Sequence, residues 1–218
     1  MASQLFFLEC LNPDCGFRFP LDLSKFEGKV CPLCGAELQK VVPQIGQWQP
    51  KWNPPADIYF VGVLDNIRSA NNVGSIFRTS ESAGLCQLYL CGLTPSPEKN
   101  NALSKSALGA EERVAWSAHT NAVRVIEQLK NEGYQVIALE CLEEAENLFS
   151  LQQTSKPPAK VALVVGSEPA GVDPGILAIA DQTLYIPMAG QKTSLNVAVA
   201  FGIAVYSLMS SWSFGSTR

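Results

Sequence analysis

Two patterns of hydrophobic and polar positions alternate along residues 57–218. Short apolar runs, typical of buried strands, are separated by longer segments with helical or loop character. The strand-like runs are Ile58–Leu64, Gln87–Cys91, Tyr134–Leu139, Val161–Val165 and Leu184–Ile186. Because strands that alternate with helices pair in parallel, this pattern predicts an α/β fold with a doubly wound parallel sheet flanked by helices.

The segment from Ile186 to Ala200 joins the end of a strand to a helix through a polar loop. Ser194 and Asn196 stand where the helix begins, and both residue types favour helix starts over helix interiors. Their position predicts a polar site in which backbone groups of the loop face a ligand. The helix that follows, Leu195 to Met209, is apolar almost all round and carries no charge, which predicts burial inside a domain or between subunits.

Four of the seven cysteines cluster within residues 1–40, a stretch too short for an independent apolar core. Cys10 and Cys15 form a C-x4-C pair, and Cys31 and Cys34 form a C-x2-C pair further along. A glycine directly after each pair lets backbone amides approach the sulfurs. This spacing predicts a four-thiolate zinc ribbon. Two disulfides or four unrelated core cysteines are the alternatives; an intracellular chain disfavours the first, and the paired spacing disfavours the second.

Composition divides the 218-residue chain into three parts. Residues 1–40 are the predicted zinc ribbon, and residues 41–56, with four prolines and two tryptophans, are a predicted linker. Residues 57–218 form the predicted α/β domain. The N-terminus lacks the basic and apolar regions of a signal peptide, and the apolar C-terminal helix is too short to cross a bilayer. We therefore expect a cytoplasmic protein with no membrane partner.

The formal net charge of −4 argues against broad electrostatic binding of nucleic acid. It leaves room for a local basic patch. The residues available for such a patch in the larger domain are Arg68, Arg78, Lys99, Lys105 and Arg113.

A first polar motif, Asn71 to Gly84, follows the first strand of the larger domain. Asn72 is the predicted N-cap of a helix, and Gly84 is its predicted C-cap. Arg78 falls off the apolar face of this helix, which makes it a candidate functional residue. The alternative is an ordinary solvated arginine paired with Glu81.

A second motif, Leu163 to Gly171, runs from a buried strand into a Gly-Ser-Glu turn. This arrangement places backbone amides and Glu168 at the carboxyl end of the sheet, where open α/β sheets bind ligands. Glycine-rich turns after strands are common, so the pattern alone is weak. A nucleotide-binding enzyme that uses this turn for phosphate is disfavoured, because the turn lacks the lysine and Ser/Thr of a P-loop.

The order and spacing of the motifs carry more information than any one of them. Asn72-x5-Arg78, then Gly166-Ser-Glu168-x2-Gly171, then Ile186-Pro-Met188 with Ser194-Leu-Asn196, resembles the three motifs of the SpoU/TrmH-type RNA ribose 2′-O-methyltransferases. These enzymes belong to the SPOUT superfamily. The segment Lys105–Trp116 is also similar to the family's lysine–glycine–alanine block. The resemblance covers residues 57–218 and leaves out the zinc ribbon.

The resemblance implies a sheet whose C-terminal part is threaded into a trefoil knot. It also implies S-adenosylmethionine bound in the knot, with RNA, either tRNA or rRNA, as the substrate. The family is usually dimeric, with the arginine of the first motif facing the partner's cofactor, and the apolar Leu195–Met209 helix suits such an interface. The residues implied to hold the cofactor are Leu139, Gly166, Ile186, Met188, Ser194 and Leu195.

The implied reaction is attack of a ribose 2′-hydroxyl on the cofactor's methyl group. The implied catalytic residues are Arg78, Asn72, Ser194, Asn196 and Glu168. Because guanidinium does not readily lose its proton, we expect Arg78 to bind the phosphate beside the target ribose rather than to act as a base. The alternative function is a non-catalytic RNA-binding or assembly factor that retains the fold. His119 is expected to begin a helix, without a partner.

Overall fold

The computed structural model describes residues 4–46, 58–151 and 158–212. They belong to two compact units, Met1–Trp52 and Asn53–Arg218. Most of the predicted linker, residues 47–56, lies outside the described residues. None of the helices within these described ranges has both the length and the apolar character that a membrane span requires.

The first unit is a three-stranded antiparallel sheet with the strand order β2-β1-β3. Its strands are β1 (Leu5–Cys10), β2 (Arg18–Asp22) and β3 (Leu38–Pro43). Its buried apolar residues include Leu8, Cys10 and Cys31. Each cysteine pair is followed by a glycine in the left-handed backbone conformation, Gly16 at φ 54° and Gly35 at φ 75°. A side chain would strain either turn, so the glycine after each pair meets a backbone requirement.

The second unit is built on a seven-stranded sheet with the strand order β6-β5-β4-β9-β7-β10-β8. Every pairing in this sheet is parallel. Its strands are β4 (Tyr59–Asp65), β5 (Gln87–Cys91), β6 (Ala115–His119), β7 (Gln135–Leu139), β8 (Glu146–Asn147), β9 (Lys160–Val165) and β10 (Gln182–Tyr185). The predicted parallel α/β sheet is confirmed. The threading of a knot remains a prediction.

Five α-helices complete the described part of this unit, together with three short 3-10 helices. The α-helices are α1 (Ala70–Ala83), α2 (Asn101–Ala107), α3 (Ala122–Asn131), α4 (Pro174–Leu177) and α5 (Val197–Ser211). The N-cap of α1 is Ser69, whose side chain accepts the N–H of Asn72, so the prediction of Asn72 as the cap was wrong. Ser69 is the last residue with extended backbone before the helix, which leaves Asn72 free to use its amide elsewhere. Gly84, at φ 76°, ends α1 as predicted.

The prediction that His119 begins a helix was also wrong. His119 is the last residue of β6, and α3 begins only after Asn121, whose side chain caps it. The imidazole Nε2 lies 2.7 Å from the Ser117 hydroxyl, so the histidine does have a partner. The run Ala115–His119 contains no β-branched residue, and parallel pairing with β5 decides its conformation.

The centre of the sheet is buried by helices on both faces, which explains the continuous apolar run Val161–Val165 in β9. Gly62 of β4 has no room for a side chain, because a Cβ atom there would lie 2.6 Å from Leu88 and 3.3 Å from Phe201. The absence of a side chain lets Phe201 of α5 pack directly on the strand. On its other side, α5 approaches α1, where Gly202 lies next to Thr79. This packing brings the starts of α1 and α5 together.

Candidate active site

A cavity of about 720 Å³ lies at the carboxyl ends of β7, β9 and β10 and at the start of α5. The structure places all six predicted cofactor residues in its wall: Leu139, Gly166, Ile186, Met188, Ser194 and Leu195. Glu168 and Asn196 also line it. Three loops distant in sequence converge here, because parallel strands present their carboxyl ends at one edge of the sheet.

The loop Gly166–Gly171 after β9 closes on itself. The N–H of Ser167 donates to the carbonyl of Gly171 at 2.9 Å, and the N–H of Gly171 donates to the carbonyl of Ser167 at 2.8 Å. A Cβ atom at Gly166 would lie 2.1 Å from the Gly171 carbonyl, so only glycine fits there. This closed turn holds Glu168 outward at its tip.

Glu168 accepts hydrogen bonds from the start of the first motif. Its Oε2 accepts the backbone N–H of Arg68 at 3.0 Å, and its Oε1 accepts the N–H of Ser69 at 3.3 Å and the side-chain amide of Asn72 at 3.0 Å. Partial burial acts to raise the pKa of Glu168, but these donors outweigh it and leave the pKa below the usual value. The carboxylate therefore stays ionised and joins the second motif to the first.

Asn72 extends this contact to the third motif. Its Oδ1 accepts the side-chain amide of Asn196 at 3.0 Å. The Oδ1 of Asn196 in turn accepts the backbone N–H of Ala198 at 2.9 Å. The orientation of both amides is fixed from the two ends, because a carboxylate only accepts and a backbone N–H only donates. We call Glu168, Asn72 and Asn196, with these bonds, the hydrogen-bond chain.

The same cap explains where α5 begins. We predicted a helix from Leu195, but α5 starts at Val197, because Asn196 is its N-cap. Asn196 also accepts the N–H of Val199 at 3.4 Å. One side chain therefore both starts the apolar helix and binds the first motif.

Arg78 lies apart from the hydrogen-bond chain. It is exposed on α1, and it does not line the cavity. Within the described residues, its guanidinium makes no hydrogen bond or ion pair. The alternative prediction, that Arg78 pairs with Glu81, was wrong. Glu81 instead accepts a hydrogen bond from the guanidinium of Arg113, which follows α2 in the chain, at 3.2 Å. Arg78 is left available to an external anion.

Two carboxylates at this edge of the sheet were not predicted from the sequence. Glu140 lines the cavity and accepts the N–H of Cys141 at 2.9 Å and that of Val172 at 2.8 Å. Asp65, only 3% exposed, accepts the N–H of Asp173 at 3.2 Å, and burial raises its pKa. Both residues stand at the carboxyl end of a buried strand, and that position is a sequence signal that could have identified them.

The four cysteines of the first unit form a second candidate site. Their sulfur atoms all lie within 4.8 Å of one another. The Cys10 and Cys34 sulfurs are 3.4 Å apart, and those of Cys15 and Cys31 are 3.8 Å apart. Tetrahedral Zn²⁺ with bonds of about 2.3 Å separates its sulfur ligands by about 3.8 Å. A disulfide would need about 2.05 Å. The donor set therefore fits zinc, and the four residues are free thiols rather than disulfides.

Comparison with known proteins agrees with this geometry. Residues 59–206 match the model of the SpoU rRNA Methylase family. This match covers more than half of the chain, and it includes all three motifs of the cavity and the hydrogen-bond chain. The chain belongs to the SpoU rRNA methylase family.

Two relatives and one solved structure give the degree of similarity. The tRNA (guanosine(18)-2′-O)-methyltransferase of Aquifex aeolicus is 35% identical over 142 residues, which cover 65% of this chain and 64% of the relative. The 23S rRNA (guanosine(2553)-2′-O)-methyltransferase RlmP of Bacillus subtilis is 34% identical over 146 residues, 67% of this chain and 56% of the relative. The matches thus span less than two thirds of either relative.

The similar solved structure is that of an AdoMet-bound rRNA methyltransferase from Sinorhizobium meliloti. It superposes with a TM-score of 0.64 at 24% identity and covers 81% of this chain and 65% of that chain. This likeness shows the shared fold.

Proposed function

We propose that this protein transfers a methyl group from S-adenosylmethionine to a ribose 2′-hydroxyl of RNA. The observation that supports this most is the hydrogen-bond chain. Glu168, Asn72 and Asn196 come from three separate motifs, and their side chains meet beside the cavity, whose wall includes Glu168 and Asn196. Membership of the SpoU family agrees with the same activity.

The cavity suits the proposed cofactor. A volume of about 720 Å³ lies within the usual range for small-molecule sites, about 300–1,000 Å³. Residues of three loops line it, and their backbone groups can bind adenine and methionine groups without charged side chains. Glu140 and Glu168 make the wall acidic, which favours a sulfonium cation. Leu139, Gly166, Ile186, Met188, Ser194 and Leu195 would hold the cofactor, which supplies an activated methyl group.

The protein's own contribution is to position the RNA. Arg78 is an exposed cation without a protein partner among the described residues, and a guanidinium can bind phosphate through two parallel hydrogen bonds. Bound to the phosphate beside the target ribose, Arg78 orients the 2′-hydroxyl and lowers its pKa. Asn72 holds the loops in register, while Ser194 and Asn196 shape the pocket at the start of α5. Holding the reacting groups in place accounts for most of the expected rate gain.

The substrate is tRNA or rRNA, since the two relatives are named for one each. Phosphate binding must come from local cations, because the chain as a whole is acidic. Arg68, Lys99 and Lys105 are exposed and available for this. Arg113 is engaged by Glu81 and is the weakest of the expected contacts. An enzyme acting on these RNAs works in the cytoplasm, where we place it.

The active form is a homodimer formed through α5. This helix carries no charge, yet Val199 is 51% exposed and Tyr206 is 48% exposed. Leu195, at the cavity wall, is 38% exposed. The spacing of Val199 and Tyr206 puts them on one side of the helix, with Leu195 just before its start, and an apolar side of this kind favours a self-complementary interface. In the dimer, Arg78 of one subunit faces the cofactor site of the other.

Zinc holds the N-terminal unit together through Cys10, Cys15, Cys31 and Cys34. The unit buries few large side chains, so a metal supplies the stability that its core lacks. We also expect the predicted trefoil knot in the larger unit.

A direct test uses the purified full chain with radiolabelled S-adenosylmethionine and unmodified tRNA or rRNA. We expect label in RNA, and mapping of 2′-O-methyl sites in RNA from cells with and without the gene identifies the position. If calorimetry shows that the cofactor binds but no methyl group is transferred to any RNA, the proposed methyltransferase activity is overturned in favour of a non-catalytic RNA-binding factor.

A further inference from the structure

The loop after β9 is held from both neighbouring strands. In the sheet, β9 lies between β4 and β7. Glu140, directly after β7, accepts the N–H of Val172 at 2.8 Å. Asp65, the last residue of β4, accepts the next N–H along the chain, that of Asp173, at 3.2 Å. Carboxylates on both sides of β9 thus bind two consecutive backbone amides where the loop returns to the sheet. We call these two contacts the carboxylate clamp.

The residues around Glu140 accommodate its carboxylate closely. The other oxygen of Glu140 accepts the N–H of Cys141 at 2.9 Å, so both carboxylate oxygens are engaged. Gly171 stands at φ 71°, and a Cβ atom there would lie 2.2 Å from the Glu140 Oε2. A side chain at Gly171 would therefore displace the carboxylate. The glycine of the second motif meets a packing requirement as well as a backbone one.

We propose that Glu140 is a positioning residue for the cofactor pocket, with Asp65 as its counterpart across β9. The clamp fixes the base of the loop whose tip carries Glu168 and whose inner side lines the cavity. Only a carboxylate can do this, because it accepts at both oxygens, whereas the amide of glutamine would direct an N–H at one of the backbone donors. The inference rests on the proposed function, since the ligand of the pocket is taken to be S-adenosylmethionine.

Loss of the clamp affects binding more than turnover. In the free protein, a loosened loop must be ordered again when the cofactor binds, which lowers affinity. Once the cofactor is bound, its contacts restore the order of the loop, so turnover at saturation changes less. A general loss of stability would instead lower the melting temperature and turnover together.

The test compares the wild type with Glu140→Gln and with Glu144→Gln. Glu144 is an exposed glutamate in the loop between β7 and β8, which also contains Glu140. The two variants change the charge equally, but only the first removes an acceptor from the clamp. We expect Glu140→Gln to weaken S-adenosylmethionine binding about tenfold by calorimetry, with kcat at saturation reduced less than about threefold. Glu144→Gln stays within about twofold of the wild type. Equal affinities for the two variants would overturn the proposal.

Amide hydrogen exchange in the ligand-free protein gives a second readout. Exchange at Val172 should accelerate in Glu140→Gln and remain at the wild-type rate in Glu144→Gln; an unchanged rate in both contradicts the clamp. If the wild type binds no S-adenosylmethionine, the proposed function fails while exchange still decides the clamp. Should Glu140→Gln not fold, Glu140→Asp, which keeps the charge but shortens the reach by one methylene, carries the same expectations.

Discussion

Asn196 donates its side-chain amide to the Oδ1 of Asn72 at 3.0 Å, across 124 positions of sequence. The same asparagine caps α5 through its Oδ1. One residue thus connects the start of the apolar helix to the first motif. The two roles use different atoms, so they can be separated by mutation.

Asn196→Asp should separate them. Aspartate caps helices as well as asparagine does, but it cannot donate to Asn72. We expect methyl transfer to fall at least about tenfold, with the free energy of unfolding close to that of the wild type. Asn196→Ala loses the cap as well and should lower the free energy of unfolding by about 1 kcal/mol. Urea unfolding and transfer assays on both variants measure this, and full activity of Asn196→Asp would remove the hydrogen-bond chain from the mechanism.

Arg78→Lys tests the bidentate contact with phosphate. Lysine keeps the charge but loses the planar pair of donors, so we expect kcat to fall more than about tenfold. Stability should change by less than about 0.5 kcal/mol, because Arg78 is exposed. Arg124→Lys, at an exposed position on α3, is the matched control and should keep full turnover. Near-full turnover of Arg78→Lys would make the bidentate role untenable.

Acid should weaken the contribution of Glu168 to stability. The pKa of Glu168 is lowered in the folded protein, because the donors at Arg68, Asn72 and Ser69 outweigh the effect of burial. A lowered pKa means that the stabilisation is present above the ordinary glutamate value and is lost as the pH falls through the folded pKa. The difference in unfolding free energy between the wild type and Glu168→Gln should be constant from about pH 8 to about pH 5 and shrink below about pH 4.5. Urea unfolding over this range measures it, and a difference that grows in acid would contradict the assignment.

Metal analysis tests the four-cysteine site. The purified protein should contain about one zinc ion per chain, and Cys31→Ser should contain much less. Cys31 is buried and belongs to the four-cysteine cluster, whereas Cys86 is exposed and lies outside the cluster. Cys86→Ser should therefore retain the metal. An equal zinc content in both variants, measured by mass spectrometry, would exclude the site.

A charge on the exposed side of α5 should separate the proposed dimer. Val199→Glu places a carboxylate on an apolar surface, and burying it in an interface is unfavourable. Light scattering should give twice the chain mass of 23.5 kDa for the wild type and the single chain mass for the variant. Leu93→Glu, at another exposed apolar residue, should remain dimeric. A dimeric Val199→Glu would place the interface elsewhere.

Local patterns were sufficient for five of the seven strands of the parallel sheet and for the cysteine pairs, whereas β6 and β8 were not predicted. The run Val161–Val165 consists of apolar residues, which favour burial, and it is buried in the structure. The left-handed turns at Gly16 and Gly35 are predictable because glycine adopts positive φ without strain. The polar start of α5 was also visible in the sequence. These features depend on hydrophobicity or on backbone conformation, which neighbouring residues in the chain already determine.

Tertiary structure decided which polar groups meet. Whether Asn72 caps its own helix or binds Glu168 depends on a carboxylate 96 positions away, and the sequence favoured the local choice wrongly. The position of Glu140 after a strand marks it as a candidate, but its bond to Val172 depends on β9 lying beside β7. Hydrogen bonds act only at short range, so the order of the strands fixes these partners. The sequence by itself determined most of the elements and the types of residue at the site, and packing alone joined Glu168, Asn72 and Asn196 into one chain.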